Sequence, residues 1–229
     1  MTLSPRLAAI ARLIPPGSRV CDVGTDHGRL PVWLAERQIC PFIIATDLNP
    51  GPLESAKQTA LQAGIHRGIA FRLANGLGAV APQEVDTVVI AGMGGETILG
   101  ILADAPWLRA PGYRLILQPQ SKVPELIDAL ARRGYRVQNQ HLVEDAGKLY
   151  TIFEAAAGET PPPTGGARYI HHSLLARRDP LLKVYLTQLC TKLSRAIHGL
   201  EQAENSAEKR AEFTAALADL AQWRGEFEK

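Results

Sequence analysis

Chemistry in this chain is concentrated in five short stretches and one basic segment. The first stretch is Asp22-Val-Gly24-Thr25-Asp26-His27-Gly28. A glycine just after a β-branched run allows a tight turn, and the helix that follows offers N–H groups to a ligand. A dinucleotide site needs Gly-x-Gly-x-x-Gly. Here Asp26 replaces the middle glycine, and its charge would repel a pyrophosphate. That charge suits S-adenosylmethionine instead, whose methionyl end carries an ammonium and a sulfonium. Asp22 and Asp26 are read as facing those cations. The amides of the turn, with Gly24, Thr25 and His27, are read as taking the cofactor's carboxylate. The plainer alternative is a strand-to-helix turn with a capping aspartate.

The other stretches extend the same edge. Asp47-Leu48 closes a second apolar run 23 residues after Gly24, where a carboxylate holds ribose hydroxyls or caps the next helix. Asn75-Gly76 follows a third run and is expected against an adenine ring, although Asn-Gly is also a common turn. Ala91-Gly92-Met93-Gly94-Gly95 follows a fourth run. Ala91, Gly92 and Met93 are expected against the cofactor. Gly94 and Gly95 are expected to leave a slot for a flat base, the alternative being close helix packing. Gln118-Pro119-Gln120 places two amides after a fifth run, with Pro119 and Gln120 on the substrate side. Asp26, His27, Gly92, Met93 and Gln118 are the residues expected around the transferred group. Six histidines show no metal-ligand spacing; His171-His172 reads as a surface pair, and His66 and His198 read as structural.

Positioning these residues takes a particular fold. Apolar runs at Arg19, Phe42, Ile69, Asp86 and Tyr113 alternate with amphipathic pieces near 30–37, 50–63, 95–104 and 122–133. That rhythm predicts an α/β, Rossmann-like sheet, mostly parallel with right-handed crossovers. Two later runs, from Tyr135 and from Leu149, are separated only by Asp145-Ala-Gly-Lys148, which predicts an antiparallel C-terminal hairpin. Residues 1–157 are therefore read as the catalytic domain. A Pro- and Gly-rich linker follows, and 167–229 is read as a helical hairpin or short coiled coil. Asp179-Pro180 is the expected helix start, and Asn205 and Glu208 are expected to cap a second helix. One long helix is the alternative, since no Gly or Pro marks the turn.

Charge narrows the partners. The net charge of +2 hides an asymmetry. Between 166 and 198, Arg168, Arg177, Arg178, Lys183, Lys192 and Arg195 stand against Asp179 alone, while 199–229 carries a net charge of −3. With Arg6, Arg12 and Arg29 this makes a basic stripe suited to phosphates; Arg6, Arg29, Arg177 and Arg178 are the expected substrate contacts. A solvated helix face is the alternative. Three scattered cysteines argue against a disulfide framework or zinc site. No signal peptide or membrane segment is read, so a cytoplasmic protein is expected, a monomer or weak homodimer, with no metal and no membrane partner.

The chain resembles the bacterial tRNA (adenine-22-N1)-methyltransferases. The matching pieces are Leu3-Ser-Pro-Arg6-Leu7, Asp22-Val-Gly-Thr-Asp-His27 with Leu30-Pro31, Ile90-Ala-Gly-Met-Gly-Gly95, Leu115-Ile-Leu-Gln-Pro119 and Glu144-Asp-x-Gly-Lys148-x-Tyr150. The resemblance implies an S-adenosylmethionine-dependent enzyme that methylates adenine 22 of tRNA. It also implies a helical C-terminal part that helps hold the tRNA. Gly28-Arg29 stands where relatives often have Ala-Tyr, Asn75 where Asp is usual, and Gln120 where Asn is usual. Competing readings are a methyltransferase for another RNA position or a small amine, a nicotinamide-dependent oxidoreductase, and a non-catalytic RNA-binding module.

Overall fold

The computed structural model describes residues 1–200 and 206–227. In chain order its elements are α1 (Pro5–Arg12), β1 (Arg19–Val23), α2 (Arg29–Glu36), β2 (Phe42–Asp47), α3 (Pro50–Gln62) and β3 (Ile69–Leu73). Next come β4 (Thr87–Gly94), α4 (Gly95–Asp104), β5 (Arg114–Ser121), α5 (Val123–Arg132), β6 (Tyr135–Asp145) and β7 (Lys148–Ala157). The chain then turns helical: α6 (His172–Arg177), α7 (Leu182–Leu200) and α8 (Ala207–Glu226). All seven strands form one sheet in the order β3-β2-β1-β4-β5-β7-β6. The first five pair in parallel, and β7 runs antiparallel to both β5 and β6. The expected mostly parallel Rossmann-like sheet with a C-terminal hairpin is what forms.

Strand alternation divides the core in two. Val20, Ile43, Val89 and Ile116 point to one face, where Ile10 of α1 and Leu30 and Leu34 of α2 cover them. Their neighbours Cys21, Ile44, Val88, Ile90, Leu115 and Leu117 point to the other, under Ile98 and Leu102 of α4 and Leu126 and Leu130 of α5. Period-two alternation inside continuously apolar runs is what a sheet covered on both faces requires. The β6–β7 turn has positive φ at both Ala146 (50°) and Gly147 (73°), the twist that suits a two-residue hairpin.

A third apolar cluster joins α6, α7 and α8 to the sheet. Leu186, Leu189 and Leu193 of α7 pack with Ala216 and Leu220 of α8, and Leu142 of β6 belongs to the same cluster. Two packed helices therefore replace the single-long-helix alternative. Gln140, fully buried on β6, anchors this unit. Its side chain donates to the Tyr169 carbonyl (3.0 Å) and accepts from the His171 N–H (2.7 Å), and its own N–H donates to Ser173 Oγ (3.1 Å).

Several boundaries differ from the sequence reading. α7 starts at Leu182; Asp179 sits one turn earlier, accepting from the N–H of Leu181 and, through its carbonyl, of Leu182. Asn205 lies outside the described residues, and Ser206 precedes α8. The end of the expected linker is docked: the N–H of Gly166 donates to Asp219 of α8 (2.8 Å), and a Cβ there would meet Trp223 at 2.8 Å. His66 is exposed, which does not match a structural reading, and of the His171-His172 pair His172 is exposed while His171 is half-buried against Ser173.

Candidate functional site

A cleft of about 660 Å³ opens where the carboxyl ends of β1 and β4 meet the start of α1 and the β6–β7 turn. Asp22, Gly24, Thr25, Asp26, His27 and Arg29 line one side; Ala91, Gly92 and Gln120 line another, with Arg6 and Asp145 closing it. The cleft lies at the carboxyl edge of an open parallel sheet, where ligands of such folds bind.

Asp22 is its most perturbed group. Burial pushes the carboxyl up to about 6; the nearby Thr25 side chain offsets part of the rise, and the Asp47 charge adds to it. The Thr25 hydroxyl falls short of a full hydrogen bond and is buried without a partner. Gly24 has φ +71°, and a Cβ on it would overlap the methyl of Met93. Met93 itself packs against the core below the cleft. Gly28, with φ +65°, lets α2 approach α3, since a Cβ would lie 2.8 Å from that of Ala56.

Most of the turn's amides serve the fold. Those of Gly24 and Thr25 donate to the Thr46 carbonyl (2.9 Å each), that of Gly28 to the Thr25 carbonyl (2.9 Å), and that of Asp26 to Asp47 Oδ2 (3.2 Å). Of the amides of residues 24–28, that of His27 alone stays outside such bonds and is left for a ligand carboxylate. Asp26, at φ +53°, projects its carboxylate outward with His27 Nε2 3.7 Å away. Asp47 is buried beside the turn, its other oxygen accepting from the Asn49 N–H (3.0 Å). Leu48 and Asn75 are exposed just beyond it, with the Ala74 N–H donating to the Asp47 carbonyl (2.9 Å); neither faces the cleft. Gly76 is held inward, its carbonyl accepting from Thr46 Oγ1 (3.0 Å).

β4 breaks register between Ala91 and Met93, leaving Gly92 in a bulge at φ +77°. Gln118 holds that bulge. Its Oε1 accepts from the Gly92 N–H (3.1 Å) and from Arg6 Nη1 (2.7 Å), while its Nε2 donates to the Pro119 carbonyl (3.0 Å). Gln118 is fully buried and lies outside the cleft lining, so it positions other groups rather than meeting the reacting atoms. Arg6 is fixed twice more: its N–H donates to Asp145 (3.3 Å), and its guanidinium lies 5.4 Å from the centre of the Tyr150 ring. Gly94 and Gly95 serve packing. A Cβ on Gly95 would lie 2.8 Å from the Lys122 carbonyl, and one on Gly94 3.2 Å from Ser121 Oγ. Pro119 is buried, and Gln120 is exposed at the rim.

The basic stripe is only partly available. Arg168 pairs with Glu212. Arg177 donates to the Gln140 carbonyl and to Asn139 (3.4 Å), tying α6 to β6. Arg178 lies over the Phe227 ring. Lys183, Lys192 and Arg195 are exposed on α7. Four cleft residues were missed in the sequence: the apolar Leu7 and Leu30, Ser4, which caps α1, and Asp145; the acidic pair at the hairpin turn was the available signal for Asp145. Among the described residues no cluster of metal-ligating side chains occurs, and no helix is long and apolar enough to cross a membrane.

A family model described as a methyltransferase domain matches residues 3–153. The Bacillus subtilis tRNA (adenine(22)-N(1))-methyltransferase is 33% identical over 159 residues, 69% of this chain and 67% of that protein. The chain belongs to this methyltransferase family. Solved structures agree over the full length. The B. subtilis m1A22 tRNA methyltransferase TrmK superposes with a TM-score of 0.81 at 27% identity, covering 100% of this chain and 99% of that one. A Streptococcus pneumoniae candidate tRNA (m1A22) methyltransferase, in complex with S-adenosyl-L-methionine, gives 0.83 at 29% identity, covering 97% of this chain and 100% of that one. The likeness includes the C-terminal helices as well as the methyltransferase sheet.

Proposed function

We infer that this protein methylates N1 of adenine 22 in tRNA, with S-adenosylmethionine as methyl donor. The observation that carries the reading is the cleft: buried Asp22 and outward Asp26 beside the side-chain-free turn at Gly24, in a chain of this methyltransferase family. The residues fit the cofactor. Gly24 leaves the backbone bare, the Thr25 hydroxyl awaits a partner, and Asp22 would be relieved of its burial penalty by a nearby cation. We assign Asp47 to the ribose hydroxyls and, on the same sheet edge beyond the cleft lining, Leu48, Asn75 and Gly76 to an adenine that extends out of the cleft.

Bound S-adenosylmethionine supplies an electrophilic methyl group on a sulfonium. Adenine N1 brings its own lone pair, so the chain has no proton to remove first. Its task is to hold the base in line and to keep water out. N1 lies on the base-pairing edge, so the base must first leave any pairing. The base gains positive charge as it is methylated, and Asp26 at the rim stabilises that charge while His27 orients the base. Arg6 presents a fixed cationic plate to the incoming nucleotide, held from behind by Gln118. Arg29 and Gln120 meet the flanking nucleotides. Residues 1–157 act as the catalytic domain, and 167–229 contacts the tRNA body through Lys183, Lys192 and Arg195. The protein works in the cytoplasm as a monomer or weak homodimer.

The test is methyl transfer from labelled S-adenosylmethionine to tRNA transcripts, with primer extension to map the product. A reverse-transcription stop at adenine 22, lost when that base is guanine, is expected. Labelling mapped to any other base would overturn the assignment.

A further inference from the structure

A groove of about 480 Å³ adjoins the cleft, and the exposed Gln120 at the end of β5 lines both. β7 and α7 form its sides. Thr151 of β7 pairs across the sheet with Leu142, which belongs to the same apolar cluster as Leu186 and Leu189 of α7. Directly opposed residues share a sheet face, so Thr151 lies on the face that α7 covers. On α7, Tyr185, Gln188, Leu189 and Lys192 follow one another at helical spacings of three and four, which puts them on one side. Leu189 is buried in the apolar cluster, Tyr185 is half-buried against it, and Gln188 and Lys192 are exposed at the rim. Lys148, exposed beside the β6–β7 turn, completes the lining.

The composition of this groove points to its ligand. It carries two lysines and no aspartate or glutamate, with one half-buried ring and two exposed amides, those of Gln120 and Gln188. Cations for the backbone and a ring for a base are what a single nucleic-acid strand needs. The next hollow along α7 shares Tyr185 and Lys192 but mixes Glu125, Glu208 and Glu212 with its basic residues, which disfavours further phosphates there. The favourable stretch is therefore short and lies on the cleft side. A base turned out into the cleft draws its neighbours over the rim with it, and Gln120 is where the rim meets the groove.

We propose that this groove holds the short unpaired stretch of RNA next to the target adenine, a base stacked on Tyr185 within reach of Gln188, its backbone running past Lys148 and Lys192. Lys192 is then where this strand joins the basic residues of α7. The assignment rests on the reading of the protein as a tRNA methyltransferase and adds to it a path for the flanking strand.

The experiment places the photoreactive p-benzoylphenylalanine at Gln188 of the full chain and irradiates it with a tRNA transcript and S-adenosylhomocysteine. Primer extension should map the crosslink to nucleotides directly beside adenine 22. Tyr185→Leu should weaken tRNA binding at least about fivefold through the lost stack, and Tyr185→Phe, which keeps the ring, should bind as the unsubstituted chain does. Lys148→Gln should lower the salt dependence of tRNA binding by about one phosphate contact, with S-adenosylhomocysteine affinity unchanged. Crosslinks confined to nucleotides remote from the methylated base would overturn the groove, as would a phenylalanine variant that binds as weakly as the leucine one. Methylation mapped on the same transcripts separates the two readings. Product at adenine 22 with remote crosslinks removes the groove alone, whereas no product on any tRNA removes the methyltransferase assignment and the groove with it.

Discussion

Asp22→Asn separates what stabilises the fold from what binds the cofactor. In the folded chain Asp22 is buried, which moves its carboxyl from the ordinary 3.8 to about 6. The folded state therefore holds the proton more tightly than the unfolded one. The stability gained from that proton is fully present below pH 3.8 and is lost as the pH rises through about 6. Above that, an ionised Asp22 costs about 3 kcal/mol, since one pKa unit is worth about 1.4 kcal/mol. Asparagine keeps the shape and removes the charge. Urea denaturation at pH 8 should find the Asn variant more stable by about 2–3 kcal/mol, and the gap should close toward pH 4. The same variant should bind S-adenosylmethionine at least about tenfold more weakly, because the cation then faces a neutral amide. Cofactor binding to the unsubstituted chain near pH 6 should release a proton, seen as a calorimetric heat that depends on the buffer. An Asn variant that is less stable at pH 8, or one that binds cofactor as before, refutes the reasoning.

Five further variants test individual residues. Gln118→Leu leaves Arg6 and the Gly92 amide without their acceptor, so the fold should lose about 2–4 kcal/mol in urea unfolding and KM for tRNA should rise. Gly95→Ala drives a Cβ into the Lys122 carbonyl and should cost on the order of 1–3 kcal/mol by the same measurement; a neutral change would show that the α4 start yields. Asp26→Asn keeps a residue tolerant of the left-handed backbone but removes the rim charge, so single-turnover methyl transfer should fall at least about tenfold with the melting temperature held. Replacing Lys192 and Arg195 together with glutamine should flatten the salt dependence of tRNA binding, whereas Arg177→Gln should lower stability and leave that slope alone.

The strands, their order of appearance and the antiparallel hairpin were legible in the sequence because each rests on local signals. Continuous apolar runs mark strands covered on both faces, helical spacing marks the crossovers, and Ala146-Gly147 allows a two-residue turn. The glycine and aspartate after β1 were legible for the same reason: a bare turn and a charge are properties of adjacent residues. What no local signal carries is the partner of a polar atom. Gln118 looked like a group at the reaction site, but folding buries it between Arg6 and Gly92, over 112 and 26 residues of separation. Gly94 and Gly95 read as a slot for a base until the Ser121 side chain came to lie against the first and the Ser121-Lys122 backbone against the second. Asp145 and Ser4 enter the cleft only because the β6–β7 turn and the chain start meet there. Arg168 and Arg177 looked like phosphate contacts until Glu212 and the Gln140 carbonyl reached them. Short-range patterning decides which segments become helix or strand, whereas long-range packing decides which side chains are left facing solvent and ligand.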